Sequence, residues 1–174
     1  MHPEPVVPQS REQTPSIGRR LACLPYEILL LIALLLIALF PVAGLNGLAL
    51  KGLPRAFLQL YLTLIIGGYF LWFWLHGGQT LPMKTWHVRL VDVSGQPLTP
   101  ARAFSRFLIA ALFFGPAGVG LAILFFPGRV SLAIAVWAFF PMIATILWAR
   151  FDADNQFLHD RIAGTRIVAA TKPT

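Results

Sequence analysis

Four long apolar stretches, separated by segments rich in charge, Pro and Gly, dominate the chain. They run over about 24–45, 57–75, 107–126 and 130–148. Crossing about 30 Å of hydrocarbon takes about 20 helical residues at about 1.5 Å each, so each stretch is close to one span. None alternates apolar and polar positions as a barrel strand does. Backbone groups in lipid must then be satisfied within the segment, which predicts helices. The predicted fold is an all-α membrane protein with four transmembrane helices arranged as two hairpins. The tight connection Pro127-Gly128-Arg129 joins the last two spans. The first run is read as a retained span, since it is long, carries Glu27 near its start and is followed by three more.

Basic residues orient the spans. The N-terminal segment has Arg11, Arg19 and Arg20, and the middle loop has Lys84, Arg89, Arg102 and Arg106. The C-terminal segment has Arg150, Arg161, Arg166 and Lys172, whereas the other two connections hold only Lys51, Arg55 and Arg129. The positive-inside rule predicts that both termini and the middle loop are cytoplasmic. Trp72, Trp74, Trp86 and Trp148 fall near the predicted cytoplasmic interface, while Trp137 lies mid-span as a packing or lipid-facing residue.

Outside the spans the pattern changes. Residues 1–18 hold four prolines among polar residues and are expected to be disordered, and 169–174 form a short tail. The folded part is therefore 19–168. Trp86–Val93 carries β-branched residues before Ser94-Gly95, and Thr165–Val168 has the same character. The two either pair as a small cytoplasmic β element or lie on the membrane as separate loops. Gly67-Gly68, the Gly115–Gly120 segment and Pro141 loosen three spans. Close helix packing explains them more simply than a broken-helix ion path, because no internal polar cluster accompanies them.

Composition agrees with this reading and narrows function. Hydrophobic residues make up 57% of the 174 residues, charged ones 12%, and mean hydropathy is +0.71. A soluble domain carries about twice that charge fraction. The net charge of +7 flanks apolar runs and forms no free basic face, so the expected partner is a bilayer with anionic lipids and not nucleic acid. Cys23 is the single cysteine, which excludes an intrachain disulfide and a cysteine metal cluster. His2, His76, His87 and His159 have no zinc-type spacing, and Gly77-Gly78 lacks the downstream residues of a phosphate loop. No catalytic set, cofactor or metal site is predicted, and an enzyme is not expected.

Glu27 is the conspicuous ionisable group, the only acid within the apolar runs. Intramembrane carboxylates generally have a partner or a task. Arg20 and Glu27 are seven apart, so they share a face of one helix. Pro25 suits a first turn, which would start the helix near Leu24 and put Glu27 where the dipole favours its charge. Three readings stay open: a solvated or capping residue, an ion-pair cluster with arginine, or a proton- or cation-handling group. Beyond the last span, Phe157, Leu158 and Ile162 alternate with charge, and a short interfacial helix there would return Asp160 toward the basic pair. Asp152 and Asp154 lack calcium-loop spacing.

Taken together these segments resemble the RDD family of bacterial membrane proteins. Arg19-Arg20-Leu21-Ala22 resembles its opening, and Gly78-Gln79-Thr80-Leu81 with Lys84 and Arg89-Leu90-Val91-Asp92 its middle signature. Gly95–Thr99 and Arg106 continue it, and His159-Asp160-Arg161-Ile162-Ala163-Gly164-Thr165-Arg166 resembles its close. The family's first aspartate stands here as Glu27, and Pro82 occupies a position where glycine is frequent. The resemblance implies a charged cluster of Arg19, Arg20, Glu27, Asp160 and Arg161. It also implies a transport-related role, with cation/proton exchange as one form. The competing reading is a membrane scaffold or accessory subunit whose charged cluster only fixes the helix arrangement. A transporter of this length is expected to act as a homo-oligomer or with another membrane partner.

Overall fold

The computed structural model describes residues 14–46, 55–125 and 131–170. The connection Pro127-Gly128-Arg129 and most of both tails lie outside them. Helices α1 (Ile17–Asn46), α2 (Arg55–Leu75) and α4 (Pro100–Phe125) are long and apolar enough to cross a membrane. Between α2 and α4 come the short helix α3 (Leu81–Thr85) and strand β1 (Val88–Asp92). The rest comprises α5 (Leu132–Trp137), α6 (Phe140–Trp148), α7 (Leu158–Ile162) and β2 (Thr165–Ala169).

Helix α1 starts earlier than Pro25 predicts. Ser16 accepts the Arg19 amide on its side chain (3.3 Å) and the Arg20 amide on its carbonyl (3.2 Å), so it caps the helix. Pro25 and Pro41 lie inside α1. Glu27 is therefore in the third turn, beyond the reach of the N-terminal dipole. The fourth apolar stretch is interrupted. Pro141 has no N–H for the Trp137 carbonyl, and the helix breaks at Ala138–Phe139, leaving a shorter apolar element over Leu132–Trp148. Small residues do bring helices together at Gly120, where a Cβ would lie 2.7 Å from the Ala135 carbonyl oxygen on α5. The bulk of Pro116 does not break α4.

The β element forms. Strands β1 and β2 pair antiparallel, with Leu90 opposite Ile167 and Asp92 opposite Thr165. Both edges of this two-stranded ribbon are occupied. Leu90 N–H donates to the Gly78 carbonyl at 2.8 Å, and Gln79 Nε2 donates to the Val88 carbonyl at 2.8 Å. On the other edge Gln156 receives the Ile167 amide at 3.1 Å and donates to its carbonyl at 3.3 Å. A free edge would expose unpaired backbone groups, and the Gly78 carbonyl with the Gln79 and Gln156 side chains takes the place of further strands.

Packing is concentrated at one end of the helices. Cys23, Trp74, Met83, Val88, Leu90, Leu98, Ala103 and Ile167 form a buried core that draws in the start of α1, the end of α2 and the start of α4. Along the helices large apolar side chains point outward, including Leu29, Ile37, Phe40, Leu112 and Trp137. That arrangement is unstable in water and favourable in lipid. Trp74 departs from the interfacial expectation: it is buried, and its indole supports the Arg106 guanidinium at 4.4 Å. Trp72 is exposed and stacks on His76 at 4.0 Å.

Candidate functional site

The polar end of the helix bundle holds two adjoining groups of side chains. The first is built around Glu27. Tyr69 Oη, from α2, donates to Glu27 Oε1 at 2.7 Å, and Thr80 Oγ1 donates to Oε2 at 2.6 Å. Thr80 is the N-cap of α3, where its oxygen also receives the Met83 amide at 3.5 Å. Its placement comes from the preceding two residues. Gly78 and Gln79 are fastened to the edge of β1, so the strap Gly78-Gln79-Thr80 links the ribbon to Glu27. Gly78 has φ +71°, and a Cβ there would meet the Leu90 carbonyl oxygen at 2.5 Å, so the strap requires glycine. Glu27 is thus hydrogen-bonded by two neutral hydroxyls and not by an arginine, although the Arg106 guanidinium lies within electrostatic reach.

The second group surrounds Asp160, which is fully buried on α7. Arg106, on α4 and 8% exposed in its side chain, donates from Nη2 to Asp160 Oδ1 at 2.6 Å. Arg20 is also buried. It donates to the Asn155 carbonyl, lies over the Phe157 ring at 4.8 Å and is within electrostatic reach of Asp160. Arg20 Nε and Nη1, Arg106 Nε and Asp160 Oδ2 have no hydrogen-bond partner among the described residues. Two arginines from different helices therefore converge on a loop and helix more than 130 positions from Arg20.

His159 extends this group toward α6. Thr145 Oγ1 receives the His159 main-chain amide at 3.3 Å and lies 3.1 Å from Nδ1. The other ring nitrogen, Nε2, lies 3.4 Å from Asp160 Oδ1, a placement that favours the tautomer with its proton on Nε2 and Thr145 donating to Nδ1. Burial pushes the His159 pKa down to about 4, with the positive Arg106 and Arg20 acting in the same sense and Asp160 opposing. The imidazole is therefore neutral at physiological pH.

The remaining residues singled out from the sequence have definite places. Arg19 leaves the buried group and caps α3, donating from Nε to the Trp86 carbonyl at 2.5 Å and from Nη2 to that of His87 at 2.9 Å. Arg161 turns outward to Asp152 (2.8 Å) and Asp154 (3.2 Å). Burial raises the Asp152 carboxyl, but the Gln156 amide and Arg161 outweigh it and hold it below its ordinary value. Lys84 is exposed in the last turn of α3. Gly164, at φ +63°, makes the turn from α7 to β2, and Thr165 Oγ1 donates to the Asp160 carbonyl at 3.3 Å. Among the described residues no group of three or more His, Cys, Asp and Glu is arranged to hold a metal ion.

The family model that matches the chain is described as the RDD family and covers residues 14–164. The chain belongs to the RDD family. Comparison with curated proteins and with solved structures finds no match. The RDD match takes in both groups of side chains, from Arg19 and Arg20 through Glu27, Thr80 and Arg106 to Asp160. Three contributors escape a reading of the sequence. Tyr69 and Thr145 are single polar residues inside apolar helices, and Gln156 is one amide in a polar loop. Nothing local marks any of them; only partners far along the chain do.

Proposed function

We propose that this RDD protein is a multi-pass protein of a bacterial inner membrane in which Glu27 exchanges a proton against a cation. One observation carries the proposal: Glu27 is held by two hydroxyls. An arginine partner would favour only the ionised form. A hydroxyl both donates and accepts, so Tyr69 and Thr80 can donate to a carboxylate or accept from a carboxylic acid with no movement of heavy atoms. A hydroxyl-bound carboxylate also offers the hard oxygen ligands that alkali cations favour. In the proposed topology α1, α2, α4 and the interrupted α5–α6 cross as two hairpins with both termini cytoplasmic. The asymmetry of Lys and Arg supports that direction. Glu27 then lies near the cytoplasmic face, beside anionic lipid head groups, and the transporting unit is a homo-oligomer or a complex with another membrane protein.

The reading includes no enzymatic step. Thr145, His159 and Asp160 have the order of a nucleophile, a base and an orienting acid, but all three are buried and Thr145 offers no surface to a substrate. A second reading, a non-transporting scaffold or accessory subunit, is favoured by one observation. The Arg106–Asp160 pair and the Arg20 contacts tie distant segments together and are too enclosed to exchange ions.

Purified protein in proteoliposomes with an internal pH dye separates the two. Pulses of Na⁺, K⁺ or Li⁺ are expected to change internal pH, and Glu27→Gln to abolish the response while the protein still inserts and folds. Absence of flux for all three cations in the wild type overturns exchange. Loss of thermal stability in Glu27→Gln, together with a stable co-purifying membrane partner, favours the scaffold.

A further inference from the structure

We infer that Tyr69 and Thr80 are positioning residues that set the proton affinity of Glu27, each through one carboxyl oxygen. The inference rests on the reading of Glu27 as a protonating group, and its test is independent of transport. Each hydroxyl faces a different oxygen: Tyr69 Oη is 2.7 Å from Oε1 and Thr80 Oγ1 is 2.6 Å from Oε2. They reach Glu27 from different elements, α2 and the start of α3. Thr80 is fully buried, so water does not replace its hydroxyl readily.

The other polar groups facing Glu27 do not duplicate them. On its own helix Cys23, one turn earlier, spends its thiol proton on the Arg19 carbonyl at 3.6 Å. On α4 Arg106 is committed to Asp160 and acts on Glu27 only through its field. The two hydroxyls are therefore the groups whose hydrogen bonds distinguish a carboxylate from a carboxylic acid. Both Glu27 oxygens accept in the ionised form. On protonation one hydroxyl reverses and becomes the acceptor.

Thr80 has a second consequence. The same oxygen caps α3, and the two residues before it hold β1 through Leu90 and Val88. Reversal of the Thr80 hydroxyl keeps its lone pair available to the Met83 amide. A change in the protonation of Glu27 therefore leaves α3 and the ribbon in place, as repeated turnover requires.

Hydrogen bonds to a charged group contribute enough that loss of either donor is expected to raise the proton affinity of Glu27 about tenfold, a midpoint about one pH unit higher. The test is infrared difference spectroscopy of the full chain in phosphatidylethanolamine–phosphatidylglycerol vesicles. The protonated carboxyl band of Glu27 is assigned by its disappearance in Glu27→Gln. Tyr69→Phe and Thr80→Val are expected to shift the midpoint upward, and Thr80→Ser, which keeps the hydroxyl, to titrate like wild type. Should Thr80→Val fail to fold through loss of its cap, Tyr69→Phe carries the test, because Tyr69 caps nothing. Wild-type midpoints in Tyr69→Phe and Thr80→Val, an equal shift in Thr80→Ser, or absence of a titrating Glu27 band overturns the inference. The expected shifts in a protein that moves no cation uphold the inference and overturn exchange.

Discussion

Replacing Asp160 by Asn tests whether the second group is a tie between segments. The substitution keeps the volume of the side chain and the main-chain bonds to Phe157 and Thr165. It removes the charge facing Arg106 at 2.6 Å and the field on Arg20. Arg106 is then buried without its ion-pair partner, and buried Arg20 keeps only the weaker field of Asp152. Breaking a buried pair on one side costs about 3–5 kcal/mol, a large part of a typical total stability of about 5–15 kcal/mol. A built-in control exists. Arg102 and Asp92 are also 2.6 Å apart, but the Arg102 side chain is 43% exposed. Arg102→Ala is expected to cost about 0–1 kcal/mol, as exposed pairs do. Reversible unfolding in mixed detergent–SDS micelles, followed by circular dichroism, gives both values. Arg106→Met combined with Asp160→Leu is expected to be less damaging than Asp160→Asn, since no unpaired charge remains at that pair. The reasoning fails if Asp160→Asn costs no more than Arg102→Ala.

Further outcomes follow from the same geometry. The folded pKa of His159, about 4, lies below its ordinary value of 6.5, so the unfolded chain binds the proton more readily. Its contribution is full above about pH 6.5 and is lost as pH falls toward 4, about 3 kcal/mol in all. A plot of unfolding free energy against pH is expected to lose that slope in His159→Gln. Gly78→Ala, with its Cβ driven against the Leu90 carbonyl, is expected to lower stability by at least about 2 kcal/mol in the same unfolding assay. His87 sits at φ +49°, a conformation that glycine adopts without a Cβ penalty. His87→Gly is expected to stabilise the fold by up to about 1 kcal/mol, read as a rise in thermal midpoint.

Much of the fold is legible along the chain because bilayer solvation writes it as long apolar runs. The first three apolar helices follow from such local patterns; the two β-branched segments are marked as strands, but that they pair with each other is decided by the fold and not by either segment. The start of α1 does not. Pro25 is a strong local reason to begin a helix, but Ser16 supplies the cap two turns earlier and Arg19 and Arg20 anchor those turns to distant carbonyls. The break in the fourth stretch is written in Pro141, yet its position at Ala138–Phe139 depends on what the missing amide leaves unbonded. For the site, the sequence marks the charges and not their partners. Glu27 and Arg20 share a helix face, but Glu27 turns to Tyr69 and Thr80 while Arg20 turns to the Asn155 carbonyl and the Phe157 ring. That choice is made by burial: the neutral donors lie beside the apolar run, and the arginines find carbonyls and Asp160 at its polar end.

Uptake of radioactive Na⁺ into proteoliposomes under an imposed proton gradient addresses the central claim most directly. If Glu27 alternates between a proton and a cation, a vesicle interior more acidic than the medium drives accumulation of the isotope, and collapsing the gradient with a protonophore releases it. Glu27→Gln is expected to show neither, while Asp160 and its arginines keep the variant folded. Uptake that ignores the proton gradient, or persists undiminished in folded Glu27→Gln, contradicts the account.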